Sequence, residues 1–115
     1  MIPPRVRLAT LLAFLSHGIF IITARYHFSY DAYVHTFFGD HYLHDWWSLW
    51  DPRWYTGFLV SSYPPLVHQL IGLLSHLVGL DAALASVLWL TVTLIPASIY
   101  AFSLSSKAFK RSSSV

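Results

Sequence analysis

The chain has 115 residues, 56% hydrophobic and 10% charged, with a formal net charge of +2. That balance is too apolar for an ordinary soluble domain of this size and suits a membrane protein. It contains no cysteine, which excludes a disulfide framework and a thiolate metal site, and its lysines and arginines form no basic face, which argues against nucleic acid as a partner.

In chain order, residues 1–7 are a short basic leader holding Pro3, Pro4, Arg5 and Arg7. Residues 8–24 follow as 17 positions without a charge, about 26 Å long as a helix against a bilayer core of about 30 Å. They are the first predicted transmembrane helix. A cleaved signal peptide is the rival, since a basic start and an apolar run fit one, but Ile22-Thr23-Ala24 is a poor small-x-small cleavage site. His17 falls in the middle of this run. An ionisable group there hints at function, and a neutral histidine bonded to a neighbouring helix is the plainer account.

Polar and aromatic character then concentrates in residues 26–63, which hold four of the five Asp, four of the seven His, four of the five Trp and six of the seven Tyr. A structureless stretch of that length is unusual, so it should carry secondary structure of its own. Residues 31–45 contain no proline and one glycine, which predicts a helix lying along the membrane surface. At helical spacing Asp31, His35, Phe38, Tyr42 and Asp45 share a face. Trp46, Trp47, Trp50 and Trp54 come next, and indoles favour the headgroup level. Asp51-Pro52 signals a turn, with Arg53 free to pair with Asp51 or with an anionic phosphate.

A second transmembrane helix is predicted over residues 64–80, with proline fitting its first turn. Gly79 suits a left-handed C-terminal position, and Asp81 can cap the next helix. Residues 82–104 are 23 positions without a charge, enough for a third span, kinked at Pro96. Residues 105–115 form a basic, serine-rich tail unlikely to fold. The expected class is thus an all-α membrane protein: three transmembrane helices, with a helical, aromatic-rich extramembrane segment (residues 25–63) between the first and second. With three spans the middle segment and the tail share a side and carry Arg25, Arg53, Lys107, Lys110 and Arg111, against Arg5 and Arg7 on the other. The positive-inside rule would then put the middle segment in the cytoplasm.

Several chemistries compete for the middle segment. His35, His41 and His44, with Asp31, Asp40 and Asp45 nearby, offer imidazole and carboxylate to a divalent metal ion, but the spacing lacks a His-Glu-x-x-His pattern. Asp31 could act as a general base beside the membrane, or merely cap the surface helix. His35, one turn on, could form a pair with it in which each favours the other's charged form. Proton or metal translocation would draw on His17, His68 and His76, but no acidic partner lies inside any predicted span.

Three runs carry a resemblance: Asp31-Ala32-Tyr33-Val34-His35; Leu49-Trp50-Asp51-Pro52-Arg53-Trp54-Tyr55-Thr56-Gly57-Phe58; and Ser62-Tyr63-Pro64-Pro65-Leu66. Their order resembles bacterial membrane proteins of the 6-pyruvoyl-tetrahydropterin synthase-related family, which are similar to GT-C class glycosyltransferases. The resemblance implies a multi-pass protein of the bacterial inner membrane that takes sugar from a polyprenyl-phosphate donor at the extracytoplasmic face. It implies that Asp31 is the catalytic acidic position, as base or metal ligand, that His35 tunes it, and that Tyr63-Pro64-Pro65 opens the second span. Arg53, with Trp50, Trp54 and Tyr63, would bind the lipid-linked donor. GT-C proteins usually have eight or more spans, so this chain would be an amino-terminal fragment of one. The alternative is a non-catalytic small integral membrane protein, or truncated remnant, that packs against a larger membrane partner.

Overall fold

A computed structural model of the chain describes residues 2–60 and 65–112. Most of them are helical: α1 (Pro4–Ile22), α2 (Tyr30–His44), α3 (Pro65–Val78) and α4 (Leu80–Ser112), with a 3-10 turn, Arg25–Phe28, before α2. Two strands, β1 (Trp50–Asp51) and β2 (Phe58–Leu59), add an antiparallel hairpin that the sequence did not announce. Two compact units divide the chain, Met1–Ile22 with Trp89–Val115, and Thr23–Leu88.

In the first unit, α1 begins four residues earlier than predicted. Pro4 suits a first helical turn because its missing N–H would have had no partner there, and the Pro3 carbonyl accepts from the amides of Val6 and Arg7 at 3.1 Å. Two helices are long and apolar enough to cross a membrane, Pro4–Ile22 and Leu80–Ser106. Along α1 the large apolar side chains are exposed almost all round, Leu8, Leu12 and Ile19 by 57, 58 and 65%, and Gly18 alone is buried. The reason is Trp89. Its ring packs where a Cβ on Gly18 would sit, 3.2 Å away, stacks on Phe14 with centroids 4.6 Å apart, and donates from Nε1 to the Phe14 carbonyl at 2.8 Å. From there the pairing runs antiparallel: Thr10 and Leu11 share a groove with Thr93 and Leu94, and Arg5 and Val6 share another with Ile99 and Tyr100. The helix continues through Pro96, which leaves the Val92 carbonyl without its usual helical donor.

In the second unit, α2 packs on α3 at close range because glycines face each other's helix. A Cβ on Gly72 would lie 2.9 Å from the Leu43 nitrogen and the Tyr42 carbonyl carbon, and one on Gly39 would lie 2.6 Å from Ile71. Phe38, Tyr42 and Val60 form the buried cluster, flanked by Val34, Phe37 and Phe58. The predicted face of α2 is therefore present in its middle: Phe38 and Tyr42 are buried, while Asp31 and Asp45 at its ends are exposed. At 14 residues, α3 is about 21 Å long, short of a bilayer core. It ends as predicted, with Gly79 at φ 81° and its amide donating to the Ser75 carbonyl at 3.0 Å. Asp81 lies inside the first turn of α4. There it accepts from the Tyr26 hydroxyl at 2.9 Å and stands 3.4 Å from His27 Nε2, an anion well placed for the helix dipole.

Candidate functional site

The hairpin places the polar site. Tyr55 (φ 52°) and Gly57 (φ 92°) turn the chain back in left-handed conformations. Gly57 is doubly required, because a Cβ there would also come within 2.3 Å of the Trp50 indole. The Val60 amide then donates to the Leu49 carbonyl at 2.7 Å, and Asp51 pairs in register with Phe58. This carries the Asp51 carboxylate fully out of solvent.

A buried carboxylate is tolerable only if it is paired and hydrogen-bonded. Asp51 accepts from the Arg53 amide at 2.9 Å, the Asx turn that the Asp-Pro pair foreshadowed. The Arg53 guanidinium donates to it from Nε at 2.9 Å and from Nη2 at 2.6 Å. These bonds hold the Asp51 carboxyl below the usual carboxylate range, against the opposing effect of burial, and raise Arg53 above its ordinary value. Arg53 also donates from Nη1 to the Asp40 carboxylate and from Nη2 to the Phe37 carbonyl at 2.9 Å, and its cation lies 4.3 Å over the Phe37 ring. His41, also buried, donates from Nε2 to the Ser48 carbonyl at 2.8 Å and presents Nδ1 3.4 Å from Asp51. One cation thus ties α2 to the hairpin through two carboxylates.

Beside this network lies a cavity of about 410 Å³, lined by Tyr30, Tyr33, Val34, Phe37, Phe38, Arg53 and Trp54. Five of those seven side chains are aromatic and one is cationic, a lining that suits an apolar or ring-bearing ligand with an anionic group.

The residues singled out from sequence fall in several places. Asp31 occupies the first turn of α2, with Ser29 rather than Asp31 at the cap position. It is exposed, one residue from the cavity wall at Tyr30. No described residue hydrogen-bonds it, and the expected Asp31–His35 pair does not form. His35 instead turns its Nδ1 to His68 Nε2, 2.9 Å away, and His68 is buried where α3 packs on α2. Trp54 and Arg53 line the cavity, while Trp50 packs on Gly57 outside it. Tyr63 lies outside the described residues. Of the metal candidates, His41 serves Ser48 and Asp51, and His44 bonds the Asp40 carbonyl at 2.9 Å. Among the described residues no group of three or more His, Asp or Glu is placed to hold a metal ion. The part played by Asp40 and by His68 had no signal in the sequence, since each meets its partner across 13 and 33 residues.

Comparison of the chain with protein-family models, with curated proteins and with solved structures gave no match.

Proposed function

We propose that the chain is a multi-pass inner-membrane protein that takes part in GT-C-like transfer of a sugar from a polyprenyl-phosphate donor at the extracytoplasmic face. The observation that carries this is the aromatic cavity lined by Arg53, whose wall at Tyr30 is one residue along α2 from Asp31, a carboxylate with no hydrogen-bond partner among the described residues. Asp31 takes the proton of an acceptor hydroxyl as its oxygen bonds to the anomeric carbon, and the lipid phosphate leaves with the bonding pair. Arg53 has one Nη1 hydrogen without a described partner, and it stabilises charge on that phosphate. Membrane residence is supported by the exposed apolar circumference of α1, which a soluble protein would bury.

Two spans rather than three also remove the conflict over orientation. With α1 and α4 crossing, both termini share a side bearing Arg5, Arg7, Lys107, Lys110 and Arg111, against Arg25 and Arg53 between them. The positive-inside rule then puts residues 23–79 outside the cytoplasm. Full-length chain in native membranes, given radiolabelled polyprenyl-phosphate sugar, is expected to release label from the lipid phase. Asp31→Asn should slow that release at least about 100-fold with helicity unchanged; release at the parent rate would remove Asp31 from the mechanism.

A second reading has its own observation. Arg53 is already neutralised by Asp51 and Asp40, which suits a non-catalytic membrane protein that packs against a larger partner. In that case label stays in the lipid, and the chain migrates with its partner after mild detergent extraction.

A further inference from the structure

The antiparallel pair in the first unit leaves a groove of about 460 Å³. Its polarity is graded along α1. Phe14 belongs to the stacked ring pair with Trp89; Thr10 and Thr93 stand one turn along their helices from that pair, and Arg7 stands about one turn beyond Thr10. Along α1 the lining runs from the cation Arg7 through the Thr10 hydroxyl to Leu11 and Phe14, with Ile2 beyond the cation; α4 contributes Thr93 level with Thr10, then Leu94 and Ala97 on the Arg7 side. Residues 1–22 and 89–115 contain no Asp or Glu, so Arg7 has no carboxylate side chain to pair with in its unit. The Thr93 hydroxyl is buried with no hydrogen-bond partner among the described residues, although a helical threonine commonly returns its proton to the carbonyl four residues back.

We propose that this groove seats one anionic phospholipid, with its phosphate on Arg7, an ester carbonyl accepting from Thr93 and an acyl chain along Leu11 and Phe14. The order of Arg7, the threonine hydroxyls and Phe14 along α1 matches the order of phosphate, ester and chain in such a lipid. Charge selects the anionic class: a zwitterionic headgroup would bring an ammonium cation to a unit whose ionised side chains are all basic. The site rests on the membrane-spanning reading of α1 and α4, and it is independent of sugar transfer.

The test is the lipid that stays with full-length chain purified from vesicles of equal phosphatidylglycerol and phosphatidylcholine, counted by mass spectrometry. Phosphatidylglycerol should be enriched several-fold. Arg7→Gln should at least halve the enrichment, Arg7→Lys should keep it, Thr93→Val should lower it less, and Arg25→Gln, in the other unit, should leave it unchanged. No enrichment, or equal losses in Arg7→Gln and Arg25→Gln, overturns the site. If Arg7→Gln does not fold, Thr93→Val decides, and undiminished enrichment there overturns it. Loss of the chain from alkali-washed membranes would overturn the spanning reading itself, whereas a retained chain without lipid preference overturns only this proposal.

Discussion

The two units divide the charge of the chain unequally. Residues 1–22 and 89–115 hold five basic residues and no acidic one, while residues 23–88 hold all five aspartates and two arginines. The contacts divide in the same way. The first unit is joined by a stacked ring pair, a glycine and one indole N–H bond, whereas the second is tied by a buried carboxylate, a bridging arginine and paired histidines. Each solution fits a different solvent. Ionised groups are expensive in hydrocarbon, and there small residues and close packing hold helices together. Near water a buried carboxylate can persist, provided a cation accompanies it.

The comparison can be broken by substitution, starting where the effect should be largest. Asp51→Ala leaves Arg53 and His41 without their buried partner and should cost the second unit about 3 kcal/mol. That is the low end of the range for breaking a buried pair, because Asp40 remains beside Arg53. Denaturant titration followed by fluorescence of the four tryptophans in that unit would measure it. Gly72→Ala should cost about 2 kcal/mol, since its methyl would press on the backbone of α2, and the helix propensity gained offsets only part of that strain. Tyr26→Phe removes one hydroxyl bond to Asp81 and should cost about 1 kcal/mol. Trp89→Phe removes the indole bond of the first unit, about 0.6 kcal/mol for a hydrogen bond between helices in lipid, and with it part of the ring packing on Gly18. A larger loss for Trp89→Phe than for Asp51→Ala would overturn the contrast between the units.

Acidity sharpens the same comparison. The folded Asp51 carboxyl is depressed below its ordinary 3.8, so its stabilisation is present above about pH 4 and fades as pH falls through the lower folded value. Tyr26 and Tyr42 are raised above 10.0, Tyr26 by burial and then by its bond to Asp81, Tyr42 by burial. The neutral phenols therefore favour the fold until pH climbs past about 10. Tryptophan emission from the second unit should report both limbs, and Asp51→Asn should flatten the acid limb. Backbone helicity of the first unit should show neither limb from these groups.

Local signals are legible in the sequence and distant ones are not. The helix over 31–45, the left-handed Gly79 and the turn at Asp51-Pro52 all depend on residues within one or two turns of each other, and each is present. The hairpin escapes a sequence reading because strands of two residues are too short to show an alternating pattern. Asp40 groups by position with the histidines of its own helix, since nothing local reveals that Arg53 reaches it across the hairpin. The second predicted span rests on apolar content alone. Its histidine at 68 reads as a membrane oddity until α2 is brought against it, and then it is a buried partner of His35. Helical spacing ties Asp31 to His35, but it brings two side chains to one face without deciding toward which neighbour either will turn.

The lone buried glycine of α1 carries a consequence for divergence. Because the rest of that helix touches so little protein, its leucines and isoleucines can be exchanged for one another in related chains at almost no cost, leaving a segment whose letters drift while its greasiness persists. Position 18 has less freedom: a Cβ there would stand 3.2 Å from the indole that fastens α1 to α4. Alanine makes that ring give by a few tenths of an ångström, and bulkier residues press on it harder. In a set of diverging sequences it should therefore change less than its neighbours, and to a bulky residue only together with position 89.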